Sequence, residues 1–186
     1  MIRSTTARER ETSHQSSPGT LPMASADLNP IQIRPAVASD AETIANLVRE
    51  LAVYEKLEDH VRADADSFRR HLFGPQPKAE ALIAEVNGNP VGFALFFHTF
   101  STFRGQPGLY LEDIFVRPEF RGQGIGKRFF RELGRIAAER NCGRMEWAVL
   151  NWNKQAIEFY ESRGARPIGD WTIYRLADEG LKELAK

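Results

Sequence analysis

The segment from Leu109 to Lys127, LYLEDIFVRPEFRGQGIGK, constrains the fold of this chain most, because an apolar strand runs into a glycine-rich turn that opens a helix. Gly122, Gly124 and Gly126 let the backbone approach a ligand closely. The free N–H groups at the start of the following helix favour an anion. The segment therefore predicts a cradle for a phosphate group.

The spacing of the glycines distinguishes between phosphate-binding loops. A P-loop needs glycine at position 121 and serine or threonine at position 128, where this chain has arginine at both. A dinucleotide fingerprint needs G-x-G-x-x-G, whereas this loop is G-x-G-x-G. The pattern that fits is R-x-x-G-x-G, from Arg121 to Gly126. It resembles the coenzyme A pyrophosphate loop of the GCN5-related N-acetyltransferases, the GNAT superfamily.

A second motif carries the same resemblance. The run AVLNWNKQAIEFYESRGA, Ala148 to Ala165, is similar to the family's other cofactor motif in its N-W-N start and its F-Y-x-x-x-G-A end. The resemblance implies acetyl-CoA as cosubstrate, with Tyr160 as the general acid that protonates the departing thiolate. The alternative for Tyr160 is an aromatic side chain that packs on the helix face. The implied coenzyme contacts are Ile114, Phe115, Val116, Arg121, Gly122, Gln123, Gly124, Ile125, Gly126, Lys127, Asn153, Ala156 and Tyr160.

Acetyl transfer to an amine also needs a base, because a free alkylamine has a pKa of about 10.4 and must lose its proton before it attacks. Glu112 is the candidate, acting directly or through a water molecule, and Asp113 is a second anionic contact. The alternative for Glu112 is an exposed strand glutamate. Four scattered histidines form no metal-binding motif, so we expect no metal.

Over about residues 31–185, the chain resembles the diamine N-acetyltransferases of the spermidine/spermine type and their thialysine-acetylating relatives. By position, Tyr54 and Glu55 line the amine site and Trp171 closes one side. The alternative for Glu55 is an ordinary acidic residue at the end of a helix, and the alternative for Trp171 is an aromatic residue of a strand. Ser101 and Arg104 stand in a loop where the polyamine enzymes carry negative charge, so we expect spermine to be disfavoured. The sequence does not distinguish between four classes of acceptor: lysine analogues, diamines, polyamines and a protein N-terminus.

Composition bounds the remaining possibilities. With 186 residues, 42% of them hydrophobic, the chain can form one domain with a substantial core. Its 25 basic and 25 acidic residues cancel, which gives no reason to expect a nucleic-acid partner or a membrane partner. No apolar run approaches the roughly 18 residues of a spanning helix. The single cysteine, Cys142, is compatible with a reducing compartment, so we expect a cytoplasmic protein.

We expect the chain to divide into a disordered extension, residues 1–29, and an acetyltransferase domain, residues 30–186. The extension is rich in Ser, Thr, Arg and Pro, and Met23 is an alternative start. Hydrophobic periodicity then predicts the order β-α-α-β-β-β-α-β-α-β, ending with a strand at Trp171–Leu176 and a short helix. Asn87-Gly88 predicts a hairpin turn. The fold class is therefore α/β, a central mixed sheet with helices on both faces, which matches the GNAT fold.

Two functions from different classes follow. The first is an amine N-acetyltransferase that uses Glu112 as base and Tyr160 as acid on a small-molecule amine. The second is a non-catalytic acyl-CoA-binding sensor or partner module. The resemblance also implies a homodimer, and the aromatic run FALFFHTF, Phe93 to Phe100, is the candidate interface.

Overall fold

The computed structural model of the chain describes residues 31–186. The predicted extension, residues 1–29, and the alternative start at Met23 lie outside the described residues. The elements, in chain order, are β1 (Ile31–Pro35), α1 (Ala41–Glu55), α2 (Ala65–Phe73), β2 (Glu80–Val86), β3 (Asn89–Ser101), β4 (Gln106–Val116), α3 (Ile125–Glu139), β5 (Met145–Trp147), α4 (Lys154–Glu161) and α5 (Glu179–Leu184). Short 3₁₀ turns lie at Ala38–Asp40, Glu58–His60 and Pro118–Phe120.

The strands form one sheet in the order β1-β2-β3-β4-β5, which confirms the predicted mixed sheet. Neighbouring strands are antiparallel except β4 and β5, which are parallel. A parallel pair needs a long crossover connection, and α3 provides it. The predicted hairpin between β2 and β3 is also confirmed. Its turn residues Asn87 and Gly88 have φ angles of 51° and 77°, the positive values that a tight hairpin turn requires.

Helices cover both faces of the sheet, as predicted. One core packs α1 and α2 against β2, β3 and β4, and the other packs α3 against the opposite face. Strand β3 contributes to both cores, because successive side chains of a strand point to opposite faces. Phe93 and Leu95 belong to the first core, and Ala94 and Phe96 to the second.

This arrangement corrects the predicted dimer interface. The four residues from Phe93 to Phe96 are at most 9% exposed and pack inside the domain, so they are not available to a partner. A continuous apolar run is typical of a strand covered on both faces, which explains the pattern without a partner. Only the end of the run reaches the surface, where Phe100 is 64% exposed.

The strand predicted at Trp171–Leu176 is wrong. Residues 171–177 have no regular secondary structure, and Trp171, Ile173 and Tyr174 are 75%, 80% and 90% exposed. Strand-forming residues become a strand only when a neighbouring strand takes their backbone hydrogen bonds. Within residues 31–186 this segment has no such neighbour. The run from Met145 to Leu150 likewise predicts a longer strand than the structure has, since β5 ends at Trp147.

Candidate active site

The candidate site lies where β4 and β5 separate. Their parallel ladder begins at Leu109 and Met145 and stops at Leu111 and Trp147. Strand β4 then continues to Val116, paired with β3 on one side only. Residues 148–150 have no regular structure. The edge of β4 that faces away from β3 is therefore left open along residues 112–116.

A cavity of about 350 Å³ occupies this gap. It is bounded by the end of α1, the second half of β4, the glycine loop, the start of α3 and the first turns of α4. Its lining includes most of the side chains and backbone segments that the sequence analysis singled out. These are Tyr54, Glu55, Glu112, Asp113, Ile114, Phe115, Val116, Arg121, Gly122, Gly124, Ile125, Gly126, Lys127, Asn153, Ala156 and Tyr160.

Two predicted site residues do not line the cavity. Gln123 is exposed at the tip of the glycine loop. Trp171 lies outside the cavity, 75% exposed in the irregular segment after α4. Within a single chain, the structure therefore does not bring Trp171 to the position that the resemblance implied for it.

Other lining residues were missed by the sequence analysis: Leu51, Phe120, Ala148, Val149, Gln155 and Phe159. Two of them had a usable signal. Leu51 precedes Tyr54 and Glu55 by three and four residues on α1, which places all three on one helix face. Phe159 is adjacent to Tyr160. Ala148 and Val149 look like the end of a buried strand, so their role as a cavity wall depends on where β5 stops.

The glycine loop has the backbone geometry that an anion cradle needs. Gly122 and Gly124 have φ angles of 78° and 83°, and Gly124 is the residue that caps the N-terminus of α3. The first intrahelical hydrogen bond runs from the Arg128 N–H to the Gly124 carbonyl, 3.1 Å. The N–H groups before it have no intrahelical acceptor. They lie beside the cavity at the positive end of the helix dipole, where a phosphate is favoured.

This geometry predicts that Gly124→Val weakens binding of coenzyme A by about 5- to 150-fold. A β-branched residue held at a positive φ costs about 1–3 kcal/mol, and the loop will shift to relieve that cost. Isothermal titration with coenzyme A measures the change. The matched control is Gly134→Ala on the exposed side of α3, where an added Cβ meets no atom within 4 Å. Unchanged affinity in Gly124→Val would contradict the cradle.

Arg121 connects the glycine loop to the rest of the site. Its Nε donates a hydrogen bond to the Val116 carbonyl, 2.9 Å, which fixes the loop to the end of β4. Its guanidinium carbon lies 4.4 Å from the centre of the Tyr54 ring, a cation–π contact with the end of α1. Arg121 therefore links the glycine loop to the end of α1.

The opposite wall begins at Asn153, which caps α4. Its Oδ1 accepts a hydrogen bond from the Ala156 N–H, 3.2 Å, and lies 3.5 Å from the Tyr54 hydroxyl. The Tyr54 ring also contacts Trp152, with the ring centroids 5.8 Å apart. Tyr54 thus contacts both walls of the gap, the glycine loop through Arg121 and the start of α4 through Asn153.

Tyr160 is held by an aromatic cluster. Its ring centroid lies 5.1 Å from that of Trp147, 5.6 Å from Phe130 and 5.7 Å from Phe159. Burial, with a smaller contribution from the charge of Glu55, raises the pKa of Tyr160 to about 12. The phenol therefore keeps its proton throughout the neutral range and is always available as a donor.

A β-bulge lies at two consecutive acidic residues of the cavity lining. Phe96 of β3 faces Leu111, and Leu95 faces Asp113, so Glu112 is an extra residue in β4. In a regular strand neighbouring side chains point to opposite faces, whereas a bulge re-aims them. Glu112 and Asp113 both line the cavity.

Glu55, at the end of α1, adds a third carboxylate. Burial raises its pKa. Burial and the neighbouring charges of Glu112 and Glu55 raise the pKa of Asp113 to about 6. The end of the cavity beside the bulge is therefore acidic, and its electrostatics favour a cation.

Two further features bear on the class of protein. No helix among residues 31–186 is long and apolar enough to cross a membrane. In the same range, His, Cys, Asp and Glu side chains form no group of three or more that could hold a metal ion. The expectation of a metal-free site stays a prediction.

Comparisons with known proteins point to one family. The family model described as the acetyltransferase (GNAT) family matches residues 42–165. The thialysine N-epsilon-acetyltransferase of Bos taurus is 37% identical over 166 residues, which cover 83% of this chain and 97% of that protein. The spermidine/spermine N(1)-acetyltransferase-like protein 1 of Homo sapiens is 36% identical over 164 residues, 83% of this chain and 24% of that longer protein.

A solved structure agrees in fold. An integron cassette protein from the mobile metagenome of V. cholerae has a TM-score of 0.72 and 27% sequence identity. The match covers 84% of this chain and 98% of that one.

Proposed function

Because this chain belongs to the GNAT family of acetyltransferases and is an acetyl-CoA-dependent N-acetyltransferase, we propose that it acetylates a primary amine of a small molecule directly. The acceptors we propose are a thialysine- or lysine-like amine, a diamine or a polyamine. The observation that carries the proposal is the shape of one cavity. Its glycine loop suits a pyrophosphate, and its other end joins three carboxylates with a protonated Tyr160.

The residues of the cavity fit acetyl-CoA. The N–H groups from Ile125 to Lys127 suit the pyrophosphate. The open edge of β4 at Ile114, Phe115 and Val116 suits the amide groups of the pantetheine arm, because an unpaired strand edge offers alternating donors and acceptors. Asn153 and Ala156 line the opposite wall. Acetyl-CoA supplies an activated thioester, which an amine can attack without a covalent enzyme intermediate.

Glu112 and Tyr160 divide the proton transfers. Glu112, exposed on the bulge, accepts the proton of the acceptor ammonium, directly or through a water molecule. The amine lone pair then forms the C–N bond at the thioester carbonyl. As the C–S bond breaks, the Tyr160 hydroxyl donates its proton to the thiolate sulfur, and the second proton that the acetylated nitrogen loses restores the phenol. Each residue contributes a step that free solution provides poorly at neutral pH.

Tyr54, Glu55 and Asp113 hold the acceptor. The carboxylates of Glu55 and Asp113 attract ammonium groups, and the Tyr54 ring offers a face to a cation. An acceptor cation on the face of the Tyr54 ring would compete with the Arg121 guanidinium, which lies over the same ring. Trp171 has no part in it, because it lies outside the cavity.

Arg104 has less influence on the acceptor than its sequence position suggests. Its side chain donates a hydrogen bond to the carbonyl of Gly143, which lies just before β5. Six residues separate Gln106 from Glu112, about 20 Å of strand. That distance exceeds the Debye length of about 8 Å at physiological salt, so repulsion from Arg104 is largely screened at the carboxylates.

We also propose a cytoplasmic homodimer. Two exposed aromatic side chains near the β3–β4 turn, Phe100 and Phe103, are 64% and 96% exposed and replace the buried part of the β3 run as interface candidates. Light scattering coupled to size exclusion measures the mass in solution. Two copies per particle that fall to one in Phe100→Ser with Phe103→Ser would support this surface, and a monomeric wild type would exclude it.

The test of the function is release of the coenzyme A thiol from acetyl-CoA, with thialysine, lysine, putrescine, spermidine and spermine in parallel. We expect turnover with at least one amine. Because Arg104 is screened from the carboxylates, slower turnover with spermine than with thialysine or putrescine would mean that another feature of the cavity disfavours spermine. Equal or faster turnover with spermine would keep the enzyme class and overturn the acceptor order expected from the sequence. The alternative function, a non-catalytic acyl-CoA sensor, predicts acetyl-CoA binding and no thiol release with any amine.

A further inference from the structure

The acidic end of the cavity contains more negative charge than its surroundings neutralise. Glu55, Glu112 and Asp113 line the same cavity. Within residues 31–186, the salt bridges of the structure reach other carboxylates, including Asp40, Glu50, Glu80, Glu85 and Glu146, and none reaches these three. A half-buried site cannot keep three unpaired carboxylates ionised at little cost, so one of them will tend to hold a proton.

The bulge decides which carboxylate that is. Asp113 follows the extra residue Glu112, and the backbone of β4 on both sides of it is paired with β3. Its shorter side chain stays close to the sheet, less exposed than that of Glu112. Asp113 is thus deepest, with Glu112 beside it on β4 and Glu55 facing it from α1. Both neighbours oppose its ionisation.

We propose that in mildly acidic solution Asp113 of the free enzyme holds an exchangeable proton, which it releases to solvent when a cationic acceptor enters the cavity. This inference rests on the proposed function. The step is a proton transfer: the carboxyl O–H bond breaks, the proton passes to solvent water, and the acceptor ammonium replaces it as the counter-charge of the carboxylate. The exchange favours acceptors with two positive charges, because a second ammonium neutralises the charge that Asp113 gains.

The groups that face Asp113 set the sign of the pH dependence. Tyr54 and Glu55 line the cavity from α1, Glu112 from β4, Arg121 from the loop, Lys127 from α3 and Tyr160 from α4. An ammonium lowers the pKa of a neighbouring carboxyl. Acceptor affinity therefore rises with pH as the free enzyme loses this proton, and it levels off above about pH 7. With a pKa of about 6 in the free enzyme, affinity at pH 5 is about five- to tenfold below its value at pH 8, for a pKa that binding lowers by about one unit or more.

Carbon-13 NMR of protein labelled at the aspartate carboxyls tests the first half of the proposal. We expect one carboxyl that titrates near pH 6 in wild type and is missing in Asp113→Asn. In Glu112→Gln the same signal is expected to titrate at lower pH, because a neighbouring negative charge is gone. If no carboxyl near pH 6 disappears in Asp113→Asn, the proposal is overturned.

The second half is tested in the presence of coenzyme A, which permits no turnover. Saturating putrescine is expected to lower the pKa of Asp113 by at least about one unit. A shift of that size means that putrescine binds the ionised form about tenfold more tightly than the protonated form. Butylamine, which has a similar length and one charge, is expected to lower it less. If putrescine leaves the pKa of Asp113 unchanged, the proposed proton release is overturned. The proposed function fails separately, if wild type shows the Asp113 titration but acetylates no amine.

Discussion

Replacing Tyr160 by Phe is expected to lower kcat by about 10²- to 10⁴-fold, the usual contribution of a positioned proton donor. The substitution removes only the hydroxyl. The ring contacts with Trp147, Phe130 and Phe159 remain, so the cavity should keep its shape. Coenzyme A affinity should therefore change by less than about threefold. Thiol release gives kcat, and isothermal titration gives the affinity.

The matched control is Tyr174→Phe. Tyr174 is 90% exposed and lies outside the cavity, so the same chemical change there is expected to leave both kcat and coenzyme affinity unaltered. If Tyr160→Phe lost affinity as steeply as turnover, the hydroxyl would matter for binding rather than for the chemical step. If kcat were unchanged, Tyr160 would be an aromatic of the helix face, the alternative that its sequence context left open.

The second large effect concerns the helix that follows the glycine loop. Phe129→Ala is expected to lower the free energy of unfolding by about 3–5 kcal/mol, the usual loss for a buried phenylalanine. Phe129 is fully buried, and it packs with Ile125 and Leu133 of α3 against the sheet. Urea unfolding followed by circular dichroism measures the loss.

Arg131→Ala serves as its control, because Arg131 lies on the exposed side of the same helix. A surface change of this kind is expected to stay within about 0.5 kcal/mol of wild type. A loss below about 1 kcal/mol in Phe129→Ala would mean that α3 does not anchor the loop on the sheet. The folded fraction of the variant should still bind coenzyme A, since the loop backbone itself is unchanged.

Sequence reasoning succeeded where the signal was local. The positive φ angles at Asn87 and Gly88 follow from residue chemistry, as do those at Gly122 and Gly124, so the hairpin and the loop could be placed without coordinates. Hydrophobic periodicity likewise predicted helices at the chain positions of α1 and α3. The two cofactor motifs then brought most of the cavity lining together.

Features that depend on distant partners could not be predicted. The extra residue at Glu112 exists only relative to the register of β3, and no local pattern marks it. A bulge changes the directions of neighbouring side chains from those of a regular strand, so the positions of Glu112 and Asp113 relative to the cavity were not readable from the sequence. The run from Phe93 to Phe96 suggested a partner because apolar residues fit an interface and a two-sided core equally well.

Trp171 shows the same limit at the chain end. Its neighbours have the composition of a strand, but composition does not supply the adjacent strand that completes it. The structure leaves this segment unpaired within residues 31–186. A role for Trp171 would require contacts that one chain does not provide.

The measurement that tests the central claim most directly is a mass balance of one reaction mixture containing the protein, acetyl-CoA and the preferred amine of the panel. Mass spectrometry of the products, with thiol quantification, should give one N-acetylated amine for each coenzyme A released. Intact protein should carry no added acetyl group, because transfer is direct. Bound acetyl-CoA that stays intact with every amine, or an acetylated protein that accumulates instead of an acetylated amine, would contradict direct acetyl transfer to a small amine.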